Sequence, residues 1–171
     1  VDEQAFVRAI EHRAAGMPLA YLVGEREFHG LRFAVTPAVL VPRPDTEVLV
    51  DWALERLVHS QRSCVLDLGT GSGAIAVTLA HRRPDATVTA TDIDANALAV
   101  ARGNATALGA TVHFELGPWW QAVGARSFDL VVSNPPYIAA DDPHLVALAH
   151  EPQQALTPGG DGLDAIRQIV A

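Results

Sequence analysis

Residues 64–74 read Cys64-Val65-Leu66-Asp67-Leu68-Gly69-Thr70-Gly71-Ser72-Gly73-Ala74. The first five form a nearly continuous apolar run, the pattern of a strand buried on both faces, and the next five place glycines at alternate positions. A helix-like stretch, GAIAVTLAHR (73–82), follows and stops before Pro84, because the residue ahead of a proline is pushed out of the helical region. A buried strand that turns through glycines into a helix makes a ligand loop. Its glycines reach positive φ and leave backbone N–H groups bare, and the helix N-terminus favours an anionic group.

Outward from this loop the chain alternates strand and helix. TVTATD (87–92) is a second strand, and its helix runs from about Asp94 to Leu108, with Leu98, Ala101, Ala105 and Leu108 on one face. TVHFE (111–115) and FDLVVS (128–133) are the third and fourth strands. Alternation of this kind implies right-handed crossovers and an α/β, doubly wound, mostly parallel sheet. Upstream, residues 2 to 15 read as a helix ended by Gly16 and Pro18. The runs LAYLV, REFHG and LRFAV, parted by Gly24 and Gly30, predict small antiparallel strands. Pro37, Pro42 and Pro44 force an extended connector, and Asp45 is the predicted N-cap of a helix whose apolar face is Val48, Leu49, Trp52, Ala53 and Leu57.

The charge balance narrows the function. Twelve Lys+Arg against 20 Asp+Glu leave −8, the wrong sign for a domain that grips nucleic acid by neutralising phosphates. No apolar run reaches the roughly 18 residues of a membrane helix and no charged leader opens the chain, so the expectation is a soluble, cytoplasmic protein. The lone Cys64 reads as a buried structural thiol, and seven histidines without metal-ligand spacing predict no metal.

Two constellations carry chemistry. In the glycine loop, Gly69, Gly71 and Ala74 also satisfy the dinucleotide fingerprint, and Asp92 ends the next strand where a ribose-binding acid belongs. The loop alone therefore leaves NAD and S-adenosylmethionine both open. The second, Asn134-Pro135-Pro136-Tyr137, follows the fourth strand and should open on the same carboxyl edge of the sheet. Two prolines stiffen the backbone so that the Asn134 side-chain oxygen and the Pro135 carbonyl converge as acceptors, which suits an NH₂ group, and Tyr137 offers an aromatic face.

With these motifs the chain resembles the release-factor glutamine methyltransferases of the HemK/PrmC family, over nearly its whole length. Further matches are Gly16–Gly24 followed by Glu27-Phe28, the lead-in Leu40-Val41-Pro42-Arg43-Pro44-Asp45-Thr46-Glu47, and Glu151-Pro152 with Ala155-Leu156 and the Gly159–Asp164 turn. The resemblance implies a Rossmann-like class I methyltransferase. Residues 1–15 would end an N-terminal helical region, 16–41 would be a β-hairpin linker, and 42–171 the catalytic domain, without the last strands of the family's seven-stranded sheet.

For the site, the resemblance implies that Gly69, Thr70, Gly71, Ser72 and Gly73 hold the methionine end of S-adenosylmethionine, Asp92 the ribose and Trp119 the adenine, with Asn134 also near the cofactor. Asn134, Pro135, Pro136 and Tyr137 would form the glutamine site, and Asn134, Pro135 and Tyr137 are the catalytic candidates. Asp67 is read either as a partner of the methionine ammonium or as a turn cap, and Arg43 and Glu47 either as a brace for the substrate loop or as a surface ion pair. The implied reaction moves a methyl group to a glutamine side-chain nitrogen of class I peptide-chain release factors and leaves S-adenosyl-L-homocysteine, in a monomer that contacts neither nucleic acid nor membrane. Alternatives are a ribosomal-protein glutamine methyltransferase, a DNA adenine methyltransferase, an NAD-dependent dehydrogenase and a non-catalytic cofactor-binding module. Pro118 stands where many relatives carry an acid.

Overall fold

Four parallel strands make the sheet of the computed structural model, which describes residues 2–59 and 62–171. Val1, at the head of the first predicted segment, lies outside the described residues. In chain order the elements are α1 (Glu3–Ala14), α2 (Leu19–Val23), β1 (Glu25–Phe28), β2 (Leu31–Ala34), α3 (Glu47–Leu57), β3 (Cys64–Leu68), α4 (Ala74–Arg82), β4 (Thr87–Asp92), α5 (Ala95–Ala107), β5 (Val112–Leu116), β6 (Leu130–Ser133) and α6 (Asp164–Val170). The parallel sheet runs β5-β4-β3-β6, and β1 pairs with β2 in a separate antiparallel hairpin.

β3 is flanked on both edges and covered on both faces, so Val65, Leu66, Asp67 and Leu68 are fully buried, as a run apolar but for Asp67 leads one to expect. β4 and β5 step away on one side and β6 lies on the other. The strand order therefore reverses beside β3, and a crevice opens at the carboxyl ends there. α5 starts at the predicted Asp94, whose carboxylate accepts from the Asn96 N–H at 2.8 Å, and buries Leu98, Ala101 and Ala105.

The N-terminal third departs from expectation at three points. LAYLV is one turn of helix, α2, not a strand: Gly24 closes it in the left-handed conformation with its N–H on Ala20 O at 2.8 Å. A five-residue apolar run has no alternation to separate helix from strand. Asp45 sits inside a 3-10 turn, Pro44–Thr46, and does not cap α3, which begins at Glu47 after Thr46. With that later start, the buried face is Val50, Ala53 and Leu57, while Val48 is exposed and Trp52 packs under the Arg56 guanidinium, 5.1 Å from the ring centroid.

The hairpin is tied to the sheet domain by packing. Phe28 and Phe33 bury edge to face in the main core with α3 and α4 residues, and Asn104 on α5 clamps Ala34 by accepting from its N–H (2.8 Å) and donating to its carbonyl (3.0 Å). Cys64 is half-buried at the start of β3 rather than enclosed.

Candidate active site

The glycine loop is positioned by two carboxylates, Asp67 and Asp92. α4 starts after Gly73, which has no side chain to cap it, and Asp67 does that work from the strand below. Its Oδ2 accepts from the Ala76 N–H (3.2 Å) and from the Thr70 hydroxyl (2.7 Å). Complete burial pushes the Asp67 carboxyl up to about 7, with the Asp92 charge adding to the rise and the two hydrogen bonds opposing it. Asp67 does not line the crevice, so of its two readings the structure supports the cap.

Asp92, at the end of β4, holds the loop from the side. Its Oδ2 accepts from the Gly71 N–H (2.8 Å) and its Oδ1 from the Asp94 N–H (2.9 Å). Burial raises its pKa and these bonds oppose the rise. Gly69 and Thr70 donate their N–H groups to Thr91 O at 3.0 and 2.8 Å. At Gly69 (φ +75°) a Cβ would lie 3.2 Å from the Trp119 ring, so only glycine lets that indole lie on the loop. At Gly71 (φ +56°) nothing lies within 4 Å of the Cβ position. The loop N–H groups expected to be bare are not: those of Gly69, Thr70, Gly71 and Gly73 are all bonded within the protein, which is what fixes the turn.

Two adjoining cavities result. The first, about 1030 Å³ of unfilled space partly open to solvent, is lined by Gly69, Thr70, Gly71, Ser72, Asp92, Trp119, Asn134 and Pro136 among others. This lining, largely apolar with an indole and a carboxylate, suits a nucleoside-type cofactor. The second, about 1110 Å³ on the same measure, is lined by Asn134, Pro135 and Tyr137 with Asp45, Leu49 and Ile138. Arg43, Thr46 and Asn134 face both. Asn134 follows β6, whose last residue Ser133 donates its hydroxyl to Leu68 O at 2.7 Å, and so stands beside the end of β3. Its Nδ2 donates to Thr46 Oγ1 at 3.4 Å, leaving Oδ1 free as an acceptor.

Most of the expected residues converge. Gly73 is an exception: it does not line the cavity, and a Cβ there would press within 3.0 Å of Val77 and 3.1 Å of Ala101, so it is a packing glycine between α4 and α5. Pro136, expected at the glutamine site, faces the first cavity. Arg43 does not pair with Glu47. It donates to the buried Glu151, while Glu47 accepts from the His29 N–H at 3.1 Å. Trp120 is a core aromatic whose Nε1 donates to Ile169 O at 2.8 Å. Sequence reading missed Asp45 and Thr46 as cavity walls, because it placed both at the start of a helix. It also missed the seat of the second motif, where Ile138 N donates to Leu156 O (3.0 Å) and Ala140 N to Gly160 O (3.1 Å).

A family model for the methyltransferase small domain matches residues 45–164. The chain belongs to the methyltransferase small domain family. Among curated members, the release factor glutamine methyltransferase of Bordetella pertussis is 54% identical over 170 residues, covering 98% of this chain and 63% of that protein. The protein of the same name from Xylella fastidiosa (strain 9a5c) is 52% identical over 171 residues, covering 98% and 62%. The chain thus spans less than two thirds of the length of these methyltransferases. Among solved structures, the hMettl16 catalytic domain in complex with the MAT2A 3'UTR hairpin 6 superposes with TM-score 0.65 at 20% identity, covering 89% of this chain and 59% of that one. The Pyrococcus abyssi tRNA (uracil-54, C5)-methyltransferase, solved with S-adenosyl-L-homocysteine, gives 0.53 at 23%, covering 66% and 27%. These methyltransferases share the Rossmann-like class I fold described above. No described helix is long and apolar enough to cross a membrane.

Proposed function

We propose that the protein carrying this chain is an S-adenosylmethionine-dependent methyltransferase acting on the side-chain nitrogen of a protein glutamine, that of the Gly-Gly-Gln loop of class I release factors. The observation that carries the reading is Asn134, which faces both cavities at once. Identity of 54% to a release factor glutamine methyltransferase supports the choice of acceptor. The reading takes residues 16–41 as a linker, 42–171 as catalytic domain, and the protein as a cytoplasmic monomer.

The first cavity fits the cofactor: the Gly71 backbone, the Asp92 carboxylate and the Trp119 indole all line it. Gly69, Thr70, Gly71 and Ser72 would hold its methionine end, Asp92 the ribose and Trp119 the adenine. When bound, it supplies an electrophilic methyl on a positively charged sulfonium. An amide nitrogen is a weak nucleophile because its lone pair is delocalised, so orientation has to supply most of the rate, and alignment contributes up to about 7–11 kcal/mol. Asn134 Oδ1 and the Pro135 carbonyl accept the two amide N–H bonds and aim the nitrogen lone pair across the shared wall. The same acceptors stabilise the positive charge that arrives on nitrogen as the C–N bond forms and the C–S electron pair returns to sulfur. The methylated nitrogen then releases one proton to solvent water. Tyr137 lies along the amide plane.

Incubating the full-length protein with a folded release factor, and separately with ribosomal proteins, followed by peptide mass spectrometry, tests the reading. A methyl mass on the Gly-Gly-Gln glutamine is expected. Methylation confined to ribosomal proteins would move the acceptor, and no transfer to any glutamine would overturn the reading.

A further inference from the structure

Glu151, 14 residues past Tyr137, is buried, 7% exposed, unlike Asp141, Asp142, Asp161 and Asp164 in the same stretch. Its Oε2 accepts from the Val41 N–H at 3.1 Å and its Oε1 from Arg43, across 108 residues of sequence. No other cation is paired with Glu151 among the described residues. Tyr21 lies close by: burial first, and then the Glu151 charge, pushes its phenol above the ordinary range, so it remains a neutral donor to Val39 O at 2.6 Å.

The segments so joined are the walls of both cavities. Arg43 and Thr46 come from the proline-rich side, and Ala155 from the Glu151 side. The Glu151 segment continues to Leu156, whose carbonyl accepts the Ile138 N–H just past the Asn-Pro-Pro-Tyr turn. On the other side, Thr46 accepts from Asn134 itself. Asn134 thus stands between two segments that Glu151 joins through Arg43 and the Val41 N–H.

We propose that Arg43 and Glu151 are a positioning pair for methyl transfer. Resting on the methyltransferase reading above, the pair fixes the separation of the proline-rich segment and the 151–156 segment, and through Thr46 and Ile138 the placement of Asn134. Prolines at 42, 44 and 152 stiffen the backbone beside each end, so a change at the pair passes to the cavity wall instead of being absorbed locally. The glycine loop is held separately by Asp67 and Asp92, so the pair governs transfer more than cofactor binding.

The test uses the full-length protein. Arg43→Gln alone leaves a buried carboxylate without its cation and threatens the fold, so the paired variant Arg43→Gln/Glu151→Gln, which removes both charges, is the decisive one. It is expected to melt near the parent and to bind S-adenosylhomocysteine within about threefold, with kcat down about ten- to hundredfold, since a small misplacement costs up to about that much. Arg43→Lys is expected to recover most of the loss. Amide hydrogen exchange supplies an activity-independent readout: Val41 and Ile138 should exchange faster in the paired variant. A parental kcat, unchanged protection at those amides, or a loss of cofactor affinity as large as the loss of kcat would each overturn the proposal. If the wild type methylates no glutamine, the glutamine reading fails, and the exchange measurement alone decides the pair.

Discussion

The glycine loop takes its side-chain support from Asp67 and Asp92, three and 21 residues from the groups they hold. The second cavity is closed by contacts that span 88 residues, Asn134 to Thr46, and 108 residues, Arg43 to Glu151. The loop presents backbone to a ligand, and the carboxylates that shape it are bonded to protein. The second cavity is lined by a proline-stiffened turn, and Asn134 Oδ1 is left open. Damage to the first region should therefore register as lost stability or cofactor affinity, and damage to the second as lost transfer in a folded protein.

The sharpest way to break that contrast is Asn134→Ala. Methyl transfer should fall by about 10²–10³, or about 2.7–4 kcal/mol, with melting temperature and most cofactor affinity retained. Transfer to a folded release factor and a thermal melt on the same preparation check it. Near-normal turnover in a stable variant would erase the distinction between the two regions.

Asp67 probes the other side through pH. The folded carboxyl titrates at about 7 and the unfolded one at its ordinary 3.8, so between those values the folded state holds the extra proton. Its contribution to stability is fully present below the unfolded value, is lost as pH rises through the folded one, and is level beyond that. Asp67→Asn keeps an acceptor for Thr70 and Ala76 without the ionisation. Relative to the parent it should gain stability from pH 5 to pH 8, on the order of 3 kcal/mol at about 1.4 per tenfold of proton affinity. Urea titrations at the two pH values measure this, and parallel pH profiles for the two proteins would show that Asp67 is already ionised in the fold.

Gly162→Ala carries the smallest expected effect and tests how the second motif is seated. Gly162 has φ +83°, and a Cβ there would fall inside contact distance of the Tyr137 carbonyl oxygen and 3.1 Å from Ala139 N. The backbone conformation alone costs about 1–3 kcal/mol for a residue with a side chain. The displaced turn should lower kcat while cofactor affinity measured by calorimetry holds. Equal losses in both would mean that the two cavities are not separately supported.

Much of this was legible from residues in a row. β4 has the bounds that its pattern predicts, β3 is the run that opens the glycine loop, and the crevice follows from strands alternating with helices. These are properties of one strand or one turn, where period, glycine and proline act on their own neighbours. LAYLV went the other way, because five apolar residues fit either element and Gly24 decided between them. Asp45 became a cavity wall because a 3-10 turn over Pro44–Thr46 stands where the helix start was expected, and packing against the core left Val48 outward.

The sequence by itself determined the Rossmann-like order, the glycine turn that leads from strand into helix, and the proline-stiffened turn after β6. The tertiary structure decided that Gly73 serves packing, that Asp67 caps a helix instead of facing the crevice, and that Arg43 pairs with Glu151 rather than Glu47. Those are questions of which distant groups share one buried space. A carboxylate's partner there is set by burial and by the spacing of elements packed against it, and neither quantity is encoded in the residues adjacent to it.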